Sequence, residues 1–283
     1  MSRPDEPSGT RFDKAAMSRT SGTAGRIGAF VRRDARQAFS YRLQFWLDAL
    51  SLGFTAVTYS LLAKIVAPGE VAGGYLAFVA VGIAVSTFLN TTVVLGASTL
   101  RQEQIQGTFE TTLSAGVRPW QMAAGISAYP LLSGIVRAIA FSALAMLAGA
   151  RVPDANWLLA ATAFALGAIA FAGLGLAGSA LVVVAHQGTA ATTWIIALST
   201  LIGGAVFPPR LLPGWVRAMA ELSPFTHMLR LARAALLEGA SFGQSGGRLG
   251  ALALVAVAFA AAGAGAMTLA FRIGRRTGAL VRY

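Results

Sequence analysis

The chain has 283 residues, of which 55% are hydrophobic and 12% charged. A soluble domain carries about 45–50% apolar and about 25% charged residues, so an ordinary soluble globule is excluded, and the apolar content equally excludes a disordered chain. The net charge of +12 comes from 23 basic and 11 acidic residues, but the long uncharged runs between them are foreign to a nucleic-acid binder. The chain contains no Cys, which removes disulfides, thiol catalysis and Cys-ligated metals.

In chain order, residues 1–25 are polar and rich in Ser, Gly, Arg and Thr. They read as a disordered cytoplasmic leader, with no apolar core of a cleavable signal peptide. Residues 26–40 then show helical periodicity. Ile27, Phe30, Val31, Ala35 and Ala38 share one side, and Arg26, Arg32, Arg33 and Arg36 lie opposite. A basic amphipathic helix of this kind lies in the membrane interface. Asp34 intrudes on its apolar side and calls for a partner. A lipid anchor and a functional interface helix fit the pattern equally.

A membrane helix needs about 20 mostly apolar residues. Six stretches qualify: 43–66, 75–98, 121–149, 156–184, 191–207 and 249–271. Period-2 alternation is weak, which argues against a barrel. The expected fold class is therefore an all-α integral membrane protein with six transmembrane helices. The fifth stretch is the shortest. Orientation follows from basic residues. Of the 23, 15 fall in 1–42, 99–120 and the tail after 271, and six fall in 151 and 208–248. Both termini are thus expected in the cytoplasm.

Charges inside these stretches are few: Asp48 and Lys64 in the first and Arg137 in the third. Lys64 is close enough to an end to snorkel. Arg137 is expected to form a structural pair, with Glu221 or Glu238 as partner, in preference to contacting a substrate. Ion-coupled carriers need acidic residues at mid-membrane, and Asp48 is shallow.

Two connecting segments stand out. Segment 99–120 (TLRQEQIQGTFETTLSAGVRPW) is too polar for the membrane and too long for a plain turn. Gln102–Gln106 favours helix, Gly107 interrupts it, and Thr108 can cap a new turn. A solvated connector and an element that receives force from a cytoplasmic partner both fit. Segment 208–248 is expected outside. Pro208, Pro209 and Pro213 break the chain, and Ser223-Pro224 starts a helix that Gly239 ends. Phe225, Met228, Leu229, Ala232, Ala235 and Leu236 form its apolar stripe, with Arg230 and Arg233 off it. A re-entrant or surface-lying hairpin follows.

Catalytic machinery is not legible. There is no G-x-x-x-x-G-K-[ST] loop and no G-x-S-x-G elbow. Gly173, Gly175 and Gly178 spell G-x-G-x-x-G, yet they sit inside an apolar run, where close helix packing is the expected use. His186 and His227 fall on opposite membrane faces and cannot share a metal. No catalytic, cofactor or metal site is expected in the chain, and it is not expected to be an enzyme.

At this point the residues resemble the membrane subunits of type-2 ATP-binding-cassette exporters. The match runs through the amphipathic helix 26–40 and the motif E-x-x-x-G-T-x-E-x-x-L at Glu103, Gly107, Thr108, Glu110 and Leu113, followed by Trp120 and Gly125. It ends in a Pro-rich break, Leu212-Pro213-Gly214-Trp215 and Ser223-Pro224-Phe225-Thr226. Two positions depart from the family pattern. Ala115-Gly116 stand where Thr-Pro is common, and Ser223 replaces the usual Asn.

The resemblance spans roughly 26–273 and leaves 274–283 as a basic tail. It implies an interface helix bearing Arg32, Arg33, Asp34 and Arg36. It implies a coupling helix at 101–113 and an external gate that includes Pro208, Pro213, Trp215 and Pro224. It also implies a second permease subunit, identical or not, and two cytoplasmic ATPase subunits that bind ATP and Mg. The expected function is export of a drug, lipid or glycan-type substrate across a bacterial inner membrane. An ion-coupled transporter or channel is the alternative, and no nucleic-acid partner is expected.

Overall fold

The computed structural model describes residues 42–65, 74–105, 119–185, 188–206 and 213–277. Eight helices occupy them: α1 (Arg42–Ile65), α2 (Tyr75–Ile105), α3 (Pro119–Leu147), α4 (Trp157–Ala185), α5 (Gly188–Ile202), α6 (Gly214–Ala220), α7 (Pro224–Leu237) and α8 (Gly246–Thr277). There is no strand among the described residues. A helix satisfies its own backbone hydrogen bonds, as hydrocarbon requires.

Four of these helices are long and apolar enough to cross a membrane. The qualifying windows are Gly74–Thr99, Ser127–Leu147, Trp157–Leu181 and Gly246–Ala270. Leu50–Leu62 in α1 and Thr192–Ile202 in α5 are apolar but shorter. The expected fifth span, 191–207, is corrected to a helix of 15 residues ending at Ile202. Its stop is a glycine cap. Gly204 takes φ +72°, its N–H donates to Leu201 O (3.2 Å), and Ala205 N–H donates to Thr200 O (3.2 Å). That is a Schellman ending, which a left-handed Gly makes without strain. Gly149 ends α3 in the same way, with φ +107° and Ala150 N–H on Ala145 O (2.9 Å).

The segment expected to be a separate element after the second span also begins differently. Residues 99–105 continue α2 without a break. The expected interface helix 26–40 and residues 106–118 lie outside the described residues.

α2 and α4 are the central helices. α3 packs chiefly on α2 and α8 chiefly on α4, while α5 and α7 touch both central helices. α1 lies at the periphery against α2 and α3. Phe88 of α2 anchors the core, with ring centroids 5.7 Å from Phe164 and 5.4 Å from Phe171 of α4. Outward faces are apolar as well: Leu50, Phe54, Val57 and Leu61 on α1 and Leu132, Val136 and Ile139 on α3 are exposed. In water such faces would be a liability; in lipid they are the matching solvent.

The glycine triplet of α4 meets three different helices. A Cβ on Gly173 would collide with the Phe259 carbonyl of α8, and one on Gly178 would press on Thr192 of α5 at 2.6 Å. Gly175 faces the Thr92 carbonyl of α2, at 3.5 Å from a Cβ placed there. The motif therefore serves close packing, a backbone approach at Gly173 and a side-chain notch at Gly178.

Candidate functional site

The connection from α5 to α8 is where the chain departs from a plain bundle. α5 is about 22 Å long at 1.5 Å per residue, short of the about 30 Å of hydrocarbon in a bilayer. α7 fills the space beyond its end. Ser223 precedes α7 in extended conformation (φ −86°, ψ 125°), and Pro224 takes the first turn, where a missing N–H costs nothing. The helix is buried nearly all round. Phe225, Met228, Leu229, Leu231, Ala232, Ala234 and Ala235 are each at most 1% exposed.

Three α7 side chains enter three glycine notches. Phe225 lies against Gly203 past the end of α5, Met228 fills the space left by Gly167 of α4, and Arg233 lies against Gly82 of α2. Ala235 O at the far end of α7 accepts from Asn156 N–H at the start of α4 (2.8 Å). Gly167 lies about 16 Å further along α4 than Asn156, by helix rise. α7 thus runs antiparallel to the first three turns of α4, inside the bundle rather than across its end.

Arg233 is the unexpected member. Rather than lying off the buried stripe, it is buried, with 8% exposure. Its guanidinium donates to Gly204 O (3.0 Å), Ala205 O (2.8 Å) and Phe78 O (3.4 Å). It also stands 3.4 Å over the Phe78 ring, a cation–π contact. The first two carbonyls lie just past the glycine stop of α5, outside its helical ladder. A cation there also complements the negative end of the helix dipole. Arg233 Nε has no partner. No sequence signal marks it: His227, Arg230 and Arg233 recur every three residues, which places Arg233 on the polar side of α7.

The other expected site residues divide as follows. Pro213 precedes α6 and, like Trp215 within it, is exposed; with Met219 and Leu222, Trp215 gives this segment an exposed apolar face. Pro224 is buried at the start of α7. Pro208 lies outside the described residues. Glu103 sits in the last turn of α2. Gly107, Thr108, Glu110 and Leu113, and Arg32, Arg33, Asp34 and Arg36, lie outside the described residues. Asp48 is on α1, and its side chain is outside what is described.

Arg137 is half-buried on α3 and has an interaction partner. The expected pairing with Glu221 or Glu238 is corrected. Glu221 bonds Arg230 at 2.6 Å and Glu238 meets Arg248 at 3.5 Å. Each is a local pair across a turn of the α6–α8 region, whereas α3 packs chiefly on α2 and only slightly on α8. The Arg230 hydrogen bond holds the Glu221 carboxyl below the usual carboxylate range. His227 completes this surface cluster, its Nε2 2.8 Å from Glu221 O. No group of three or more metal-ligating side chains occurs among the described residues.

The family model described as ABC-2 type transporter matches residues 26–237. No curated protein matches the chain.

Proposed function

The chain belongs to the ABC-2 type transporter family, the membrane permeases of type-2 ABC transporters, and on that premise we propose that it is the permease half of an exporter driven by a separate ATPase. The observation that carries this reading is the family match over residues 26–237 of 283. The segment 101–113 would dock on two ATPase subunits, which bind ATP and Mg. A second permease subunit, identical or not, would complete the pathway. α1 and the helix 26–40 would flank it at the inner face.

In this reading the chain crosses the membrane six times, α1 and α5 included. Their short apolar lengths are compatible with that if α7 supplies the remaining depth beyond α5. The end of the bundle that carries α7 would then face outward, and 208–239 would re-enter the membrane and close the outer exit. Both termini would be cytoplasmic, in a bacterial inner membrane. A drug, lipid or glycan-type cargo suits such a pathway. Alternating access needs two arrangements that a partner can bias, and nucleotide-driven movement at 101–113 supplies the bias.

The test is co-purification with candidate ABC ATPases from the same genome, followed by ATP hydrolysis in proteoliposomes. Glu110→Arg is expected to insert normally yet abolish substrate-stimulated hydrolysis, because it reverses a charge in the docking segment. Transport by the purified chain alone, driven by an ion gradient, would instead favour the secondary-transporter alternative.

A further inference from the structure

We infer that Arg233 is a positioning residue that fastens α7 to the ends of α5 and α2, so that α7 moves with them as a fixed wedge and not as an independent flap. The inference rests on the outward placement of this end proposed above.

Four observations converge on it. Arg233 joins three elements distant in sequence, through Gly204 and Ala205 past α5 and Phe78 on α2. The space for it is specifically made: a Cβ on Gly82 would collide with the Ala205 carbonyl and stand 3.0 Å from an Arg233 terminal nitrogen. Two of the carbonyls it holds, Gly204 O and Ala205 O, lie past the glycine stop of α5, so no helical N–H serves them. Finally, Phe225 and Met228 occupy their own notches on Gly203 and Gly167, so one face of α7 is keyed to α4 and the α5 end while Arg233 keys another to α2.

The contrast with α6 sharpens the division of labour. Trp215, Met219 and Leu222 are 70%, 52% and 76% exposed, while α7 beside them is buried. Within the hairpin, α6 is the arm free to change its contacts, and α7 is the arm held by the bundle. Without Arg233, the Gly204 and Ala205 carbonyls lose this donor, while Phe78 O keeps its place in the α2 ladder. An unsatisfied buried carbonyl is costly, and water entering between α7 and α2 is the remedy available.

The absence of Cys in the chain allows a direct test with single introduced cysteines and a membrane-impermeant thiol reagent added from outside to intact cells. Ala234→Cys, fully buried on α7, reports access to the wedge. Gly243→Cys, with no atom near its Cβ position, reports the outer face. Ala138→Cys, buried on α3 away from α7, reports the bundle interior.

With Arg233 present, only Gly243→Cys should react. Adding R233M should speed labelling of Ala234→Cys about tenfold or more, the population shift expected from losing a charge-assisted hydrogen bond. R233K, which retains a donor, should label more slowly than R233M. Gly82→Ala, which displaces the same contact with Arg233 intact, should also speed labelling. Parent-rate labelling of Ala234→Cys in both R233M and Gly82→Ala overturns the inference. So does labelling of Ala138→Cys in the same variants, since Arg233 would then be a general stabiliser. If Gly243→Cys itself fails to react, the outward placement is wrong, and that failure belongs to the proposed orientation.

Discussion

Gly263 and Gly265 sit two residues apart on α8 and differ completely in what surrounds them. A Cβ on Gly263 would collide with the backbone of Gly173 on α4, whereas one on Gly265 would meet nothing within 4 Å. Gly263→Ala is therefore expected to force α4 and α8 apart and destabilise the protein by about 1–3 kcal/mol, the usual cost of overpacking. Gly265→Ala should be neutral or stabilise by up to about 1 kcal/mol, since Gly is a poor helix former. Thermal unfolding of the two variants in the same detergent checks the contrast; equal midpoints would contradict the packing described. The G-x-G-x-x-G run on α4 was legible as a packing motif because no strand precedes it. Its partners were not legible, because periodicity gives the face of a helix but not which helix meets it. Arg233 was hidden for a related reason: an Arg on an amphipathic pattern defaults to the polar side, where Arg230 does stay partly exposed, and only the packing of α2 and the α5 end over Arg233 buries that position.

At the scale of elements, the α3–α4 turn and the α7–α8 turn are tied by one residue. Asn156 Oδ1 accepts from Leu159 N–H at 3.1 Å, capping α4, while its Nδ2–H donates to Ala240 O at 3.0 Å. Close by, Gly239 takes φ +60° against the Asp154 carbonyl. Asn156→Ala removes both side-chain bonds but leaves the backbone bond to Ala235, and should cost about 1–2 kcal/mol. Asn156→Asp keeps the cap acceptor and loses the donor, so chemical or thermal denaturation should place it between the parent and the Ala variant. The long apolar helices were readable from composition alone, and the Ser223-Pro224 start and Gly239 end of α7 from local turn chemistry. The end of α5 was misplaced because the apolar run continues through Ala205 and Val206, while the Gly203-Gly204 pair stops the helix. Hydropathy records the apolar run and is blind to the left-handed φ that terminates it.

For the whole molecule, α2 is the one helix that reaches both ends of the proposed mechanism. It runs unbroken from Tyr75 to Ile105, about 46 Å at 1.5 Å per residue. Its first turns carry Phe78 and Gly82, against which Arg233 and Ala205 are fitted. Its last turn carries Glu103, the start of the segment proposed to receive the ATPase. Between these ends α2 is packed by α3 and α4, with Phe88, Leu89 and Val93 fully or almost fully buried. A helix held in this way transmits displacement as a rod, so motion at 101–113 should reach the α7 wedge without an intervening hinge. Breaking the rod tests this. Val94 is partly exposed, at 36%, so replacing it removes little packing. Val94→Pro deletes one backbone hydrogen bond and crowds the preceding turn, at a cost of about 3 kcal/mol in a soluble helix and less where neighbouring helices compensate. The variant is expected to insert, to co-purify with its ATPase and to keep basal ATP hydrolysis, while transport in proteoliposomes falls well below that of Val94→Ala. Full transport by Val94→Pro would show that α2 does not carry the signal and would shift the coupling path to α3, which enters the bundle from the other end of the same segment.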